Sequence, residues 1–449
     1  MLKKDEIYSV KIESMSNQGY GVCRINGFVT FVHGGVTGDI CDVKIIKAAK
    51  SYAVARAVNF TLVSQFRREP DCLVKGCGGC VFQNVSFDYE LMTKRDYVVG
   101  AMMKEGVDIS VSQVATDGKF TRYRNKAQFP VTVDREGKMR AGFFAEKTHR
   151  VVPTSDCAIT DKRFSEIANY ICTLCDKYSV SAYNEVTGKG LLRHIYLRSG
   201  ISGVLLVLVI NAHSFNKADI FASETMKKFP CVTGVLLNIN TENTNVILGD
   251  EYITVRGSDY IEDELLGKIF RISAQSFYQV NRSVCEMLYA KAGKLLDAQK
   301  DETVVDLYCG IGTVGLTVAS NAGKLIGVEI VEKAIENARE NAKLQGCENA
   351  EFYASDAADV LKYTSGRYPD SVIVDPPRKG LSIEVIENIV SLKPKKVVYI
   401  SCDPATLARD LKLFRAKGYT GDTVYPFNMF PRTAHVESVV CLMRSDKAT

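Results

Sequence analysis

The chain has 449 residues, of which 46% are hydrophobic and 24% are charged, and its formal net charge is +5. This composition is that of an ordinary globular protein, and the length predicts about two to four domains. The longest apolar run, residues 204–210, is far shorter than the roughly 20 residues of a membrane span, and the first residues lack the apolar segment of a secretion signal, so we expect a cytoplasmic protein with no membrane partner.

The first 61 residues hold short segments in which apolar and polar side chains alternate, separated by glycines. The segments are residues 7–12, 21–25, 28–32, 40–45 and 53–58. Short strands joined by glycine turns are typical of a small barrel of the oligonucleotide-binding (OB) type. Such a barrel need not bind nucleic acid, and the pattern alone leaves RNA binding open.

Three cysteines, Cys72, Cys77 and Cys80, follow the predicted barrel within nine residues. In a reducing compartment the fourteen cysteines of the chain are not expected to form a disulfide framework, so a cluster of them indicates a metal site or a catalytic site. Three thiolates can hold an iron–sulfur cluster or zinc if a fourth ligand is supplied. Cys157, in a later predicted loop, is our candidate for that ligand. The spacing does not distinguish the two kinds of site.

A basic region follows a helix that we predict at residues 89–104. Residues 119–150 hold nine lysines and arginines against three acidic residues, an excess that suits a polyanion. Arg124 and Lys126 in this region, and Arg193 and Arg198 in a later predicted strand, lie among aromatic residues. Cationic and aromatic side chains together can neutralise phosphates and stack on bases, so these residues are candidate RNA contacts. A solvated strand would show the same pattern.

From about residue 270 the pattern changes to strands that alternate with helices. Strands are predicted at residues 304–307, 325–329, 351–353, 371–375 and 395–401. This alternation is typical of a doubly wound parallel sheet. The glycine turn at residues 309–313 lets the backbone approach a nucleotide-like ligand, and Glu329, which ends the second strand, is placed to accept hydrogen bonds from a ribose. The glycine spacing is also compatible with a dinucleotide as the ligand.

Two residues with reactive side chains end the last two of these strands. Asp375 is followed by two prolines and Arg378, and Cys402 stands between a strand and a helix start at Pro404. In open α/β sheets ligands bind at the carboxyl ends of the strands, so we expect this thiol and this carboxylate beside a cofactor. Because a helix N-terminus lowers the pKa of a nearby thiol, we also expect Cys402 to ionise readily.

Residues 401–410, Ser-Cys-Asp-Pro-Ala-Thr-Leu-Ala-Arg-Asp, resemble the nucleophile motif of the RNA uracil-5-methyltransferases that use S-adenosylmethionine. Further segments that resemble motifs of that family are residues 275–281, 306–312, 375–378 and 430–438. The predicted barrel resembles the TRAM module, and the cysteines resemble the 4Fe–4S site of the members that modify bacterial 23S ribosomal RNA. Those members usually have one more residue between the first two cysteines than the four found here.

The resemblance implies an α/β fold in three parts. Residues 1–61 would form the TRAM barrel, of OB type. Residues 62–88 and 117–266 would form a β-rich central domain that carries the cysteines and binds RNA. Residues 89–116 and 267–449 would form a Rossmann-like, S-adenosylmethionine-dependent methyltransferase domain.

The resemblance also implies a role for each site residue. Cys402 is expected to be the nucleophile, Glu437 the general base and Asp375 the residue that positions the uracil. The residues expected to bind S-adenosylmethionine are Gln279, Tyr308, Glu329, Asp356 and Asp375. The residues expected to hold a 4Fe–4S cluster are Cys72, Cys77, Cys80 and Cys157. For Asp356 the alternative role is the N-cap of the turn after it. For His435 we expect the role of a hydrogen-bonded neighbour of Glu437.

The expected product is 5-methyluridine in 23S ribosomal RNA, made by a monomer. Transfer RNA is the alternative substrate. A nucleic-acid amine is the alternative methyl acceptor, and an enzyme of that kind would need neither Cys402 nor Glu437.

Overall fold

The computed structural model describes residues 2–364 and 368–445. Its N-terminal part is a six-stranded sheet in the order β1-β5-β6-β4-β3-β2 around a small apolar core. The strands are β1 (Ile7–Lys11), β2 (Ser14–Met15), β3 (Gly21–Ile25), β4 (Phe28–His33), β5 (Ile40–Ala48) and β6 (Tyr52–Leu62). The predicted strands are confirmed as β1, β3, β4, β5 and β6, whereas β2, with two residues, is too short to leave a pattern in the sequence.

Helix α1 (Phe87–Glu105) confirms the next predicted element, and the short strand β7 (Ser110–Val111) follows it. The helix ends at Gly106, whose φ of +70° is the left-handed conformation that glycine adopts without strain. No helix in the described part of the chain is long and apolar enough to cross a membrane.

The central part is a seven-stranded sheet in the order β10-β9-β8-β11-β12-β13-β14. Its elements are β8 (Lys126–Val133), β9 (Met139–Phe144), β10 (Val151–Pro153), α2 (Lys162–Lys177), β11 (Leu192–Gly200), β12 (Gly203–Ile210), α3 (Ala218–Lys228), β13 (Val232–Ile239) and β14 (Glu251–Gly257). Both helices pack on one face, where Phe164 and Phe221 share a core with Ile195 and Leu206. A two-stranded sheet of β15 (Tyr260–Leu265) and β16 (Lys268–Ser273) leads into the C-terminal part.

The C-terminal part is a nine-stranded sheet in the order β19-β18-β17-β20-β21-β24-β23-β7, with β22 paired to β24. Its elements are α4 (Arg282–Leu296), β17 (Thr303–Leu307), α5 (Thr313–Val318), β18 (Lys324–Glu329), α6 (Glu332–Leu344), β19 (Ala350–Ala354), a 3₁₀ turn (Ala357–Asp359), α7 (Val360–Tyr363), β20 (Ser371–Val374), α8 (Ile383–Ser391), β21 (Lys396–Ser401), α9 (Pro404–Ala416), β22 (Tyr419–Thr420), β23 (Thr423–Phe427) and β24 (Glu437–Arg444). The strands β17 to β21 pair in parallel, as predicted, and β24 pairs antiparallel to β21.

Helices cover both faces of this sheet, so its central strands are mostly apolar. On one face α1 joins the C-terminal core, where its residues Val98 and Met102 pack with Leu407 and Leu411 of α9. Helix α9 begins where it does because Asp403 is its N-cap and Pro404 fits the first helical position. The result is a rigid sheet with one edge of strand ends open to ligands.

Candidate active site

Predicted site residues lie at the carboxyl ends of neighbouring parallel strands. In spatial order along the sheet these are Asp356 after β19, Glu329 at the end of β18, Tyr308 after β17, Asp375 after β20 and Cys402 after β21. The chain runs from β17 outward to β18 and β19 and then returns to β20 on the other side of β17. That reversal makes the junction of β17 and β20 a topological switch point, where ligands of open α/β sheets bind.

Glu437 reaches the same edge from the antiparallel strand β24. Ser401, the last residue of β21, pairs with Ser438. Because the two strands run in opposite directions, the next residues along this pair are Cys402 and Glu437. Residues directly opposite each other in a sheet point to the same face. The register therefore places the predicted nucleophile and the predicted base side by side.

The carboxyl group of Glu437 is buried, with 2% of the residue exposed. Its Oε2 atom has no hydrogen-bond partner among the described residues. Burial raises its pKa to about 8, the nearby Asp375 adds to the rise and Arg378 opposes it. A carboxyl group that exchanges its proton near neutral pH has the acidity that a general base needs.

The Cys402 thiol is less acidic than the sequence predicts. Burial raises its pKa to about 12, the carboxylates of Glu437 and Asp375 add to the rise, and Arg378 opposes it. The expectation of a readily ionised thiol is therefore wrong for the protein without ligands.

Asp403 gives a physical reason for this correction. Its Oδ1 atom accepts hydrogen bonds from the backbone N–H groups of Ala405 at 3.0 Å and of Thr406 at 2.9 Å. The first N–H groups of α9 are thus directed to a carboxylate instead of to the thiol. The favourable end of the helix dipole is largely neutralised by this N-cap.

Along this row of strand ends, Asp375 lies between Tyr308 and Cys402. Burial raises the pKa of its carboxyl group to about 7. The two prolines that follow fix the backbone and bring Arg378 back toward the site, where its Nη2 atom lies 3.2 Å from Nε2 of His435. The partner of His435 is thus Arg378, and burial lowers the pKa of this imidazole to about 4. His435 is therefore neutral at neutral pH.

The glycine turn after β17 lies where S-adenosylmethionine is expected to bind. Glu329 accepts hydrogen bonds from the N–H of Gly310 at 3.3 Å and from the N–H of Val331 at 3.0 Å. Gly310 has a φ of +53°, and no atom lies within 4 Å of the position that a Cβ would occupy. A ligand can therefore approach the backbone here, directly beside the Glu329 carboxylate.

The other predicted cofactor residues have different degrees of exposure. Tyr308 is half-buried with a φ of +64°. Asp356 is exposed, and its Oδ1 atom accepts a hydrogen bond of 2.9 Å from the N–H of Ala358, so the N-cap interpretation is confirmed. Gln279 is buried, and its carbonyl oxygen accepts a hydrogen bond of 3.0 Å from Nδ2 of Asn125.

Asp306 is a buried acidic residue close to Asp375 and Glu329 that the sequence-based interpretation did not single out. It is completely buried inside β17, and its Oδ2 atom accepts a hydrogen bond of 2.8 Å from the N–H of Gly315. Its Oδ1 atom has no partner among the described residues. Burial raises its pKa to about 8, although the Gly315 bond opposes the rise. The available signal was an acidic residue in an otherwise apolar strand, just before the glycine turn.

The four predicted cluster cysteines, Cys72, Cys77, Cys80 and Cys157, line one cavity of about 240 Å³. Burial raises the pKa of Cys80 to about 12, and the other three thiols lie close enough to add to the rise. Within residues 2–364 and 368–445, no group of three or more histidine, cysteine, aspartate or glutamate side chains is arranged to hold a metal ion. The fold thus gathers the thiols without a formed coordination shell, and the metal site stays a prediction.

Two of the predicted RNA contacts are inaccessible. Arg193 and Arg198 are 3% and 1% exposed, because β11 is covered on both faces and Tyr196 between them packs into the C-terminal core. The Nη1 atom of Arg193 donates to the carbonyl of Asn240 at 2.9 Å, and that of Arg198 donates to the carbonyl of Ser276 at 2.8 Å. The prediction that these arginines contact RNA is therefore wrong, since both hold loops inside the protein.

Arg124 and Lys126, the other two predicted RNA contacts, are half-buried and line the same cavity as the cysteines. Burial lowers the pKa of Lys126 to about 8, and the neighbouring charges of Arg198 and Arg124 lower it further. Their role toward RNA stays a prediction.

A family model described as tRNA (Uracil-5-)-methyltransferase matches residues 86–445, and a TRAM domain model matches residues 3–58. An uncharacterized RNA methyltransferase of Bacillus cereus strain ATCC 10987 is 39% identical, with 99% of this chain and 98% of the relative covered. A relative from Listeria innocua with the same description is 39% identical, with 98% of each chain covered.

Among solved structures, the tRNA (uracil-54, C5)-methyltransferase of Pyrococcus abyssi in complex with S-adenosyl-L-homocysteine superposes with a TM-score of 0.79. It is 26% identical, and the match covers 97% of this chain and 100% of that one. The α/β fold with an N-terminal domain of β-strands is therefore confirmed, and the chain, which carries a TRAM domain, belongs to the tRNA (uracil-5-)-methyltransferase family.

Proposed function

We propose that this protein transfers a methyl group from S-adenosylmethionine to C5 of a uridine in RNA, through a covalent bond between Cys402 and C6 of the base. The observation that carries the proposal is the register of β21 and β24, which sets Cys402 beside Glu437. Asp375 is close enough to raise the pKa of both groups. Family membership supports the uracil acceptor and the methyl donor.

The chemistry requires these residue types because C5 of uracil is too weak a nucleophile to take a methyl group directly. The thiolate of Cys402 adds to C6, and the electron pair of the C5–C6 double bond moves toward O4 to give an enolate. S-adenosylmethionine would supply an electrophilic methyl group on a sulfonium sulfur: C5 would bond to the methyl carbon as the carbon–sulfur bond breaks, leaving S-adenosylhomocysteine. Glu437 then removes the C5 proton, the double bond re-forms, and the Cys402 thiolate leaves.

Asp375 is suited to hold the pyrimidine edge during this sequence. With a pKa of about 7 its carboxyl group is protonated in a large fraction of molecules at neutral pH. In that form it can donate a hydrogen bond to O4, where negative charge develops after thiolate addition. The uridine must leave its stack to reach these groups at the strand ends, so the RNA has to be bound with the base flipped out.

The proposed methyl-donor site is the edge around Gly310. The Glu329 carboxylate would accept hydrogen bonds from the ribose hydroxyls, as strand-end acids do in related folds. The open space beside Gly310 fits a ligand that approaches the backbone at this point. Tyr308, Asp356 and Gln279 would complete the site, the first two from the neighbouring strand ends and Gln279 from the segment before α4.

The deciding experiment is covalent trapping on RNA that contains 5-fluorouridine, because fluorine at C5 blocks the last proton removal. With S-adenosylmethionine, the wild type and Cys347→Ala should give a denaturant-resistant complex linked at Cys402, and Cys402→Ala should give none. Cys347 is a matched control because it follows α6, outside the site. If Cys402→Ala methylates RNA at the wild-type rate, the amine-directed alternative is correct instead.

For the RNA itself we propose 23S ribosomal RNA, supported by the cysteine set, with transfer RNA as the second candidate. The second is favoured by one observation: a transfer-RNA enzyme matches 97% of this chain, so the three-part architecture does not exclude that substrate. Mapping 5-methyluridine in both RNAs from a deletion strain separates the two. Loss of the modification from neither RNA would contradict the proposed function.

We further propose that Cys72, Cys77, Cys80 and Cys157 hold a 4Fe–4S cluster, because the four thiols line one cavity. The proposed reaction has no redox step, so the cluster would order the RNA-binding region. Iron and sulfide content of anaerobically purified protein, compared with zinc content, tests its identity. Cluster-free protein should lose affinity for RNA and keep its affinity for S-adenosylmethionine.

A further inference from the structure

Glu90 is a completely buried acidic residue on α1 that lies outside the proposed reaction. Its Oε1 atom accepts hydrogen bonds of 2.9 Å from Nζ of Lys94 and of 2.9 Å from the backbone N–H of Arg432. Its Oε2 atom accepts from Nη1 of Arg432 at 3.3 Å. One carboxylate thus binds two buried cations, one on its own helix and one near the C-terminus of the chain.

Arg432 belongs to the loop of residues 428–436, which joins the end of β23 to Glu437 at the start of β24. Lys94 binds the same loop, since its Nζ atom donates to Oδ1 of Asn428 at 2.6 Å and to the carbonyl of Phe430 at 3.0 Å. Glu90 and Lys94 together therefore fix three positions along the loop that leads directly into the proposed base.

The loop has a strained backbone at Arg432, and Glu90 is one of several partners that hold it. Arg432 has a φ of +68°, a left-handed conformation that side-chain-bearing residues rarely adopt. Its carbonyl accepts hydrogen bonds from the N–H groups of Val81 at 2.9 Å and Phe82 at 3.1 Å, just after Cys80. These bonds hold the backbone of Arg432, and its guanidinium forms ion pairs of 3.3 Å with the completely buried Glu90 and with the partly exposed Asp71.

Glu437 is sensitive to this loop because it is the first residue after it and its carboxyl group has an unpartnered oxygen. Its Oε2 atom has no hydrogen-bond partner in the described ranges 2–364 and 368–445. Its location is set by the backbone at the start of β24, which pairs with β21 and β23 and which the chain enters directly from residues 428–436. Cys402 is held differently, by β21 and by the N-cap of α9, neither of which involves Glu90.

We propose that Glu90 is a positioning residue for the base step: by binding Lys94 and Arg432 it sets the loop 428–436, and so the place of the Glu437 carboxylate beside the methylated base. The inference rests on the proposed function, in which Glu437 removes the C5 proton. Loss of the Glu90 charge leaves Lys94 without a carboxylate partner among the described residues and leaves Arg432 with Asp71 alone, and the repulsion between the two cations displaces the loop. Addition of Cys402 and methyl transfer precede the base step and continue.

The test is a single-turnover reaction of Glu90→Gln with unmodified RNA and methyl-labelled S-adenosylmethionine. We expect the labelled, denaturant-resistant protein–RNA adduct to form within about threefold of the wild-type rate. Its breakdown to free 5-methyluridine should slow by about tenfold or more, as loss of general-base catalysis does. Glu105→Gln is the matched control, because Glu105 is a glutamate of the same helix that pairs with Lys412 at 3.3 Å, far from the loop.

Glu437→Gln, run in parallel, separates the inference from the function on which it rests. If Glu437→Gln accumulates the adduct and Glu90→Gln does not, the positioning role is overturned. If Glu90→Gln loses adduct formation and product release in equal measure, Glu90 merely supports the fold and the role is also overturned. If neither the wild type nor Glu437→Gln forms the adduct, the proposed function itself fails.

Glu90→Gln can fail to fold, because it leaves a buried charge imbalance. Asn428→Ala is then the second variant, since it removes one contact of Lys94 with the loop and changes no charge. It should accumulate the same adduct to a smaller extent. Wild-type breakdown of the adduct by folded Asn428→Ala would overturn the inference.

Discussion

Cys402 and Glu437 lie on neighbouring antiparallel strands, one residue beyond the last pair, Ser401 and Ser438. The charge of Glu437 raises the pKa of the Cys402 thiol, and Asp375 raises the pKa of both groups, because each group becomes negative when it loses a proton. Arg378 is the cation that opposes this effect at both groups. The balance among these three side chains sets the pH at which the site can react.

We therefore predict that Arg378→Gln shifts the pH dependence of adduct formation to higher pH. Loss of the cation raises the pKa of Cys402, and each unit of that rise lowers the thiolate fraction about tenfold. Trapping rates on 5-fluorouridine RNA, measured across a pH series, report the shift. Lys379→Gln is the control, because Lys379 is the exposed next residue. An unchanged profile for Arg378→Gln would contradict the assigned role.

We predict that the folded protein loses stability as the pH rises, because three of its acidic residues have raised pKa values. The pKa values of Asp306, Asp375 and Glu437 are raised to about 8, 7 and 8 from their ordinary values of 3.8, 3.8 and 4.5. Between these limits the folded chain binds more protons than the unfolded chain, so the free energy of unfolding falls with increasing pH. Thermal unfolding between about pH 5 and about pH 9 should show a decreasing Tm.

Glu437→Gln should flatten that pH dependence, because a neutral side chain has no proton to lose. At about pH 8 this variant should be at least as stable as the wild type although it is defective in the base step. Calorimetry of both proteins over the same pH range measures the difference. A variant that follows the wild-type curve would show that Glu437 is not the titrating group.

Asp410 of α9 is predicted to be a major contributor to stability. It is completely buried, and its Oδ2 atom accepts hydrogen bonds from the Tyr399 hydroxyl at 2.7 Å and the Leu381 N–H at 2.8 Å. Asp410→Ala leaves both donors unpaired and should cost about 3 kcal/mol or more of unfolding free energy, whereas Tyr399→Phe should cost about 1 kcal/mol. Urea unfolding measures both, with the exposed Asp422→Ala as the control.

Glu329→Gln should weaken binding of S-adenosylmethionine by about tenfold or more, because a charged acceptor for the ribose hydroxyls is lost. Isothermal titration calorimetry measures the change. Glu332→Gln is the matched control, since Glu332 is an exposed glutamate in the first turn of α6, three residues further on. Equal affinity in both variants would remove Glu329 from the proposed site.

The sequence by itself determined where the strands β17 to β21 of the C-terminal part lie, that they pair in parallel and which residues follow their carboxyl ends. These follow from local pattern, since a buried parallel strand is a continuous apolar run and a helix start carries a cap such as Asp403. The placement of Asp375 and Cys402 at one edge was therefore predictable. The cysteine segment was also recognisable, because Cys72, Cys77 and Cys80 are close in the chain.

Only the tertiary structure decided which distant residues meet and how water is excluded from them. The register of β21 with β24 sets Glu437 against Cys402, and the burial that results raises the thiol pKa where the sequence predicted the opposite. Likewise, because β11 is buried on both faces, Arg193 and Arg198 bind loops inside the protein and are not accessible to RNA. Burial and charge pairing depend on residues hundreds of positions apart, as with Glu90 and Arg432, and so no local pattern encodes them.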